Sequence, residues 1–366
     1  MTTAFLWDER CFWHHGGAYA LTMEVGGFVQ PGGGLPENPE TKRRLVNLMR
    51  VTGIDRHLRM ESADAANREA LLRVHPAAYL DRFKERSDAG GGELGIRAPF
   101  GRGGYEVATL SAGLAIEALR MVLKGEVQNA YALSRPPGHH CLPDAPMGFC
   151  LLSNLAIAVE AALAEGRAQR IAVIDWDVHH GNGTEGVFYG RSDVLTISLH
   201  QERNFPLDTG GVEDRGSGPG IGANLNLPLP PGTGHTGFLA AWDRFVAPSL
   251  DAFGPDAIMI ACGFDAAAVD PLSRTMATAE TFRELTTRAR QAAERLCDGK
   301  LVLVHEGGYS EAYVPFCGHA TLEALSDSSV TAPDPMASTL AARQPGPLFD
   351  TMLEGWFDGL AASLAR

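Results

Sequence analysis

The stretch "RIAVIDWDVHHGNGT", residues 170–184, decides how this chain folds. Ile171, Ala172, Val173 and Ile174 read as a strand buried on both faces, the pattern of a parallel sheet covered by helices. The run then delivers Asp175, Asp177, His179 and His180 within six positions. Buried charge is costly unless it is paired or holds a metal, so a strand that ends this way predicts a site at its carboxyl end. Residues two apart in extended backbone point to the same side. Asp175, Asp177 and His179 therefore share one face, and Trp176 and Val178 the other.

Similar apolar runs occur at 129–136, 194–200, 256–265 and 300–309. Between them lie helix candidates at 104–125, 148–166, 235–254 and 278–299, the last opening on Thr278 as a cap and closing at Gly299. This alternation predicts an α/β fold, an open and mostly parallel sheet with helices on both faces, whose ligands bind outside the carboxyl ends of the strands. No repeat or linker divides the chain, and the Gly-rich stretches 88–104 and 213–224 read as loops. Residues 1–366 are expected to form one domain.

A net charge of −13 without a Lys/Arg cluster argues against nucleic acid or an anionic membrane as partner, and favours a neutral or cationic substrate. The N-terminus lacks a basic segment followed by an apolar one, and no run approaches the roughly 20 apolar residues of a membrane span. Six scattered cysteines without a C-x-x-C pair read as reduced thiols. A soluble, cytoplasmic protein is expected.

The strand candidates end in "RPPGHH" (135–140), "DWDVHHG" (175–181), "CGFD" (262–265) and "HEGGY" (305–309), which the sheet would bring together. Asp177 and His179 with one further carboxylate would make the three-ligand site with an open position that a catalytic zinc needs, and Asp265 is the best third candidate. A lone D-x-H is more often a surface loop; its place at the end of a buried strand favours metal. His139 and His140, stiffened by two prolines, could act as general base and electrostatic stabiliser beside a metal-bound water. The glycines of "HEGGY" would let the backbone bend and bring Tyr309 over the site, its hydroxyl able to donate to a developing oxyanion.

Together these motifs, with "GFCLLSN" (148–154) and "GFDA" (263–266), resemble the histone deacetylase family, its class II branch and the bacterial histone deacetylase-like amidohydrolases most closely. The resemblance runs from about residue 39 to 318. It implies the arginase/deacetylase fold and the zinc-dependent removal of acetyl or other acyl groups from the ε-amine of lysine. It puts one Zn²⁺ on Asp177, His179 and Asp265, the dyad on His139 and His140, and the transition-state tyrosine at Tyr309. Behind these it implies Asp175, orienting His139, and Asn182, facing His140 where class I enzymes carry aspartate. Asparagine adds no negative charge, so His140 should be less basic than beside a carboxylate. His180 is given only a structural role.

The resemblance further implies a substrate tunnel at Gly148, Phe149, Phe205 and Leu272. It implies structural K⁺ or Na⁺ at two places: Asp175 and Ser198 with backbone oxygens of Asp177, His179 and Leu199, and carbonyls near Phe188, Arg191 and Val194. Partners would be an acetylated lysine peptide or a small acylated amine, and self-association to a homo-oligomer is possible within the family. The alternatives are an acetylpolyamine amidohydrolase, disfavoured by leucine at 272, and a binuclear manganese ureohydrolase, for which only Asp175, Asp177 and Asp265 stand ready. A reader that binds acyl-lysine without hydrolysing it would make the dyad and Tyr309 superfluous.

Overall fold

Each of the five apolar runs contains a strand. The computed structural model describes residues 2–30 and 34–365. Its main sheet has eight strands: β1 (Thr3–Leu6), β2 (Leu58–Glu61), β3 (Asn129–Ala132), β4 (Ile171–Asp175), β5 (Val194–Gln201), β6 (Asn224–Leu229), β7 (Ala257–Cys262) and β8 (Leu301–His305). Their order is β6-β5-β4-β7-β8-β3-β1-β2, and every pairing is parallel. The expected open α/β sheet is therefore wholly parallel.

Three strands were not legible as apolar runs. β1 is only four residues long, β2 lies at one edge with half-exposed alternate positions, and β6 lies at the other edge with Asn224, Asn226 and Pro228 in it. Edge strands need only one apolar face, so their signal is weak.

Alternate residues of the central strands serve two cores. Ala172 and Ile174 pack with Leu45, Phe282 and Leu322, from helices α1 (Glu40–Thr52), α4 (Ala279–Cys297) and α5 (Val314–Ser326). Ile171 and Val173 pack on the other side with Leu114, Leu119 and Leu155, from α2 (Gly104–Leu123) and α3 (Asn154–Ala164). Helix α4 opens as expected on a Thr278 capping box and turns out of its last turn at Asp298, in the left-handed region, just before Gly299.

Two helix expectations need correction. The run 148–166 is helical only from Asn154, because residues 148–153 line the site instead. The run 235–254 is two short helices, His235–Ala241 and Ala247–Phe253, joined by a π-helical turn at Trp242–Val246. The Gly-rich 88–104 stretch is not wholly loop either: Gly91–Glu93 and Pro99–Gly101 pair as a small antiparallel hairpin. Among the described residues no helix is long and apolar enough to cross a membrane, and all six cysteines are buried and unpaired.

Candidate active site

The four motif-bearing strands, β4, β7, β8 and β3, are consecutive in the sheet, so their carboxyl ends open on one crevice. Asp175 lies beside Ala261, Cys262 beside His305, and Val304 beside Ala132. The residues that follow these positions meet above the middle of the sheet, where such folds place their ligands.

Asp177, His179 and Asp265 converge there, fully or almost fully buried, with their ligand atoms within 4.8 Å of one another. His179 Nδ1 lies 3.0 Å from both Asp177 Oδ1 and Asp265 Oδ2. Backbone amides fix the two carboxylates: His179 N and Gly307 N donate to Asp177 at 2.9 Å each, and Val178 N donates to Asp265 Oδ1 at 2.8 Å. Gly307 packs so closely that a Cβ would overlap Asp265 Oδ2, which is why that position of "HEGGY" must be glycine.

Burial works against charge on all three residues. At His179 the two carboxylates outweigh it and raise the imidazole to about 10. At Asp265 burial and Asp177 together push the carboxyl up to about 6. Two buried carboxylates and one imidazole, with one side left open, suit a divalent cation of the zinc type. The proton held on Nδ1 lies where such a cation would bind, so binding should release it.

His139 and His140 stand beside this trio, their rings 4.0 Å apart. His139 Nδ1 meets Asp175 Oδ2 at 2.8 Å, and His140 Nδ1 meets Asn182 Oδ1 at 2.8 Å. Each Nδ1–H therefore donates to its partner and each Nε2 is left for the site. The two imidazoles differ in basicity. Burial lowers His139, but Asp177 and Asp175 outweigh it and leave it well above the ordinary histidine range. Burial lowers His140 and its neighbours His139 and His179 add to that, leaving it well below the range. Asn182 acts upward on His140, so burial and two neighbouring rings are the larger causes of its weak basicity.

Tyr309 is reached through Gly308, which takes φ +125°. Its ring lies 6.4 Å from that of His179 and 5.8 Å from Phe149. Burial, then Asp265 and Asp177, hold its hydroxyl well above the ordinary tyrosine range, so it stays protonated as a donor. A narrow cavity of about 100 Å³ runs down to His140, His179 and Tyr309, lined by Gly148, Phe149, Phe205 and Leu272. The four tunnel positions of the sequence reading thus share one cavity. Gly148 (φ +55°) has no room for a Cβ against His140.

The expected monovalent-ion residues fall into two groups. Asp175 and Ser198 are register partners on β4 and β5, with Leu199 next along β5. Phe188, Arg191 and Val194 lie on one turn leading into β5, where Arg191 N donates to the Phe188 carbonyl at 2.9 Å. His180 bonds Thr209 at 2.9 Å and Glu185 at 3.2 Å, away from the trio.

Sequence reading missed five residues of this site. Glu306 is buried and accepts from Gly138 N at 2.7 Å and His139 N at 3.1 Å, holding the backbone of the dyad. Asp270 accepts from Leu272 N at 2.9 Å and Tyr309 N at 2.7 Å, tying the tunnel wall to the tyrosine. Glu306 stands inside "HEGGY", quoted for other letters, and Asp270 lies just past "GFDA". Thr22, Arg97 and Asn204 also line the cavity and carry no local signal.

Residues 35–325 match the histone deacetylase domain. The chain is 55% identical to a histone deacetylase-like amidohydrolase of Pseudomonas aeruginosa, over 98% of this chain and 95% of that one. It is 36% identical to histone deacetylase 8 of Arabidopsis thaliana, over 90% and 93% of the two. The crystal structure of the HDA15 HD domain superposes with a TM-score of 0.80 at 30% identity, covering 100% of this chain and 97% of that one. With a buried carboxylate–imidazole trio, a histidine dyad and a tyrosine converging at the foot of a tunnel, the chain belongs to the histone deacetylase family.

Proposed function

We propose that this chain is a zinc-dependent deacetylase that removes acetyl groups from the ε-amine of lysine in proteins or peptides. The observation that carries this reading is the convergence of the Asp177–His179–Asp265 trio with His139, His140 and Tyr309 at the foot of a small cavity walled by Phe149, Phe205 and Leu272. An acetyl-lysine stem fits such a cavity. A bound zinc would polarise the acyl carbonyl and lower the pKa of a water toward about 7. His140, oriented by Asn182 and held weakly basic, takes the proton of the attacking water through Nε2. His139, held on Asp175, carries positive charge beside the reacting carbon. Tyr309 donates its hydroxyl to the developing oxyanion.

Structural K⁺ or Na⁺ is assigned to Asp175, Ser198 and Leu199, with the backbone of Asp177 and His179, and a second ion to the Phe188–Val194 turn. The unpaired cysteines accord with a cytoplasmic location. An acetylpolyamine is the weaker substrate choice, since among the described residues no aspartate or glutamate lines the cavity to hold its free amine.

The test is acetate release from acetyl-lysine peptides and from N-acetylputrescine, measured with metal content before and after chelation. One zinc per chain, loss of turnover with the chelator, rescue by zinc and preference for the peptides are expected. Two manganese ions per chain without acetate release would overturn the reading.

A further inference from the structure

Among the described residues lining the tunnel, Arg97 is the only one bearing a fixed charge. Some arginines at the surface are matched by the chain itself: Arg120 faces Glu117 and Glu126, and Arg191 faces Glu160 and Asp193. Arg97 is exposed and makes no ion pair among the described residues. Its guanidinium carbon instead lies 5.5 Å from the centroid of the Phe205 ring, which forms the tunnel wall. The segment that carries it is fastened to the opposite wall: Gly148 N donates to the Ile96 carbonyl at 3.0 Å and Phe149 N to the Arg97 carbonyl at 2.7 Å. Arg97 itself is held at φ +55°, a backbone conformation that arginine adopts only when its surroundings impose it.

A chain with net charge −13 therefore presents an unmatched cation at the mouth of its cavity. From His179 to Phe205 is 6.2 Å, and from Phe205 to the guanidinium 5.5 Å, a span that one extended acyl-lysine covers. The group of the substrate that reaches Arg97 is thus the lysine's own backbone end or its immediate neighbour. A guanidinium on an aromatic wall keeps its N–H fork free for a planar acid.

We propose that Arg97 selects acyl-lysine substrates carrying a carboxylate beside the acylated residue, either an aspartate or glutamate neighbour or the free α-carboxylate of a terminal acetyl-lysine, and repels substrates with a cation there. This inference rests on the deacetylase reading and names the substrate class within it.

The test compares kcat/KM for matched acetyl-lysine peptides with a glutamate or a lysine neighbour, and for a peptide ending in acetyl-lysine as free acid or amide, in the wild type, Arg97→Gln and Arg97→Glu. At low ionic strength the wild type should prefer the acidic member of each pair by about 3- to 10-fold, a margin that salt reduces. Arg97→Gln should flatten both ratios and Arg97→Glu invert them. Preference in the first pair alone assigns Arg97 to a side-chain acid, and in the second alone to the α-carboxylate. Because each protein is compared with itself, a general loss of activity does not enter. Equal ratios in the three proteins overturn the inference and leave deacetylation standing. No acetate release from any of the peptides overturns deacetylation and this inference with it.

Discussion

Two groups of buried charge in this molecule meet the cost of burial in opposite ways. At the strand ends, Asp175, Asp177, Asp265 and Glu306 are surrounded by imidazoles and backbone amides, with no lysine or arginine among their partners in the described residues. Beside the same crevice, Arg135 Nε and Lys42 Nζ lie 2.9 and 3.1 Å from one oxygen of Glu37, all three almost completely buried. Arg135 also donates to the carbonyls of Cys11 and His14 at 2.9 and 2.8 Å. That cluster carries its own counter-charges and fastens the segments around 11–14 and 37–42 to the loop bearing the dyad. The strand-end cluster lacks a strong cation of its own, and that shortage is what suits it to bind one.

Titration expresses the same contrast. Burial pushes Glu37 up, but Arg135 and Lys42 outweigh it and bring the carboxyl down to about 2. Lys42 is lowered too, by burial opposed by Glu37, with Arg135 adding to the lowering. Two cations share one acid, so the acid gains most.

Substitutions can break or sharpen the comparison. The largest effect is expected from Asp265→Ala, which should abolish stoichiometric metal and acetate release together. It should exceed the roughly 10- to 100-fold loss of metal affinity that follows removal of a supporting residue. Metal analysis with an activity assay checks this, and a variant that keeps both would show that the strand-end acids are not ligands.

Next comes Glu37→Ala, which strands two buried cations and should cost about 3–5 kcal/mol, read from urea unfolding. The pH dependence has a definite sign. Because the folded Glu37 lies near 2 and its ordinary value is 4.5, the stability it contributes is complete above about pH 4.5 and is lost as pH falls toward 2. Wild-type unfolding free energy should therefore drop further between neutral pH and about pH 3 than that of Glu37→Gln. Equal drops would remove Glu37 from the account.

Tyr309→Phe should keep fold and metal while lowering kcat on the order of 10²-fold, as loss of one oxyanion donor does. An unchanged kcat would remove the hydroxyl from the mechanism. The smallest effect belongs to Asn182→Asp, which sets a negative charge 2.8 Å from His140 Nδ1. A carboxylate there raises the imidazole, and a base must be unprotonated to act, so the acid limb of the pH–rate profile should move upward by about one unit. A limb that stays put would show that burial and the neighbouring rings alone govern His140.

Much of this site was readable in order along the chain, because its ligands stand two residues apart just past a buried strand or end apolar runs. Strand periodicity predicts one face for Asp175, Asp177 and His179, but only Asp175 lies on β4, and Asp177 and His179 follow it in a bend. Asp265 and Tyr309 needed in addition that parallel strands end on one side of a sheet. Glu306, Asp270 and Arg97 obey neither rule. Glu306 matters through amides of residues 138 and 139, and Asp270 through the amide of residue 309. Arg97 matters through an aromatic ring 108 positions away in sequence.

The sequence by itself determined the α/β alternation, the apolar strands and the identity of the groups that could hold a metal, since these follow from local period and residue chemistry. Only the tertiary structure decided that β4, β7, β8 and β3 are neighbours, that the two edge strands exist, and which charges are matched. Strand order and charge matching depend on which distant segments the fold brings within a few ångströms, and no local pattern encodes that.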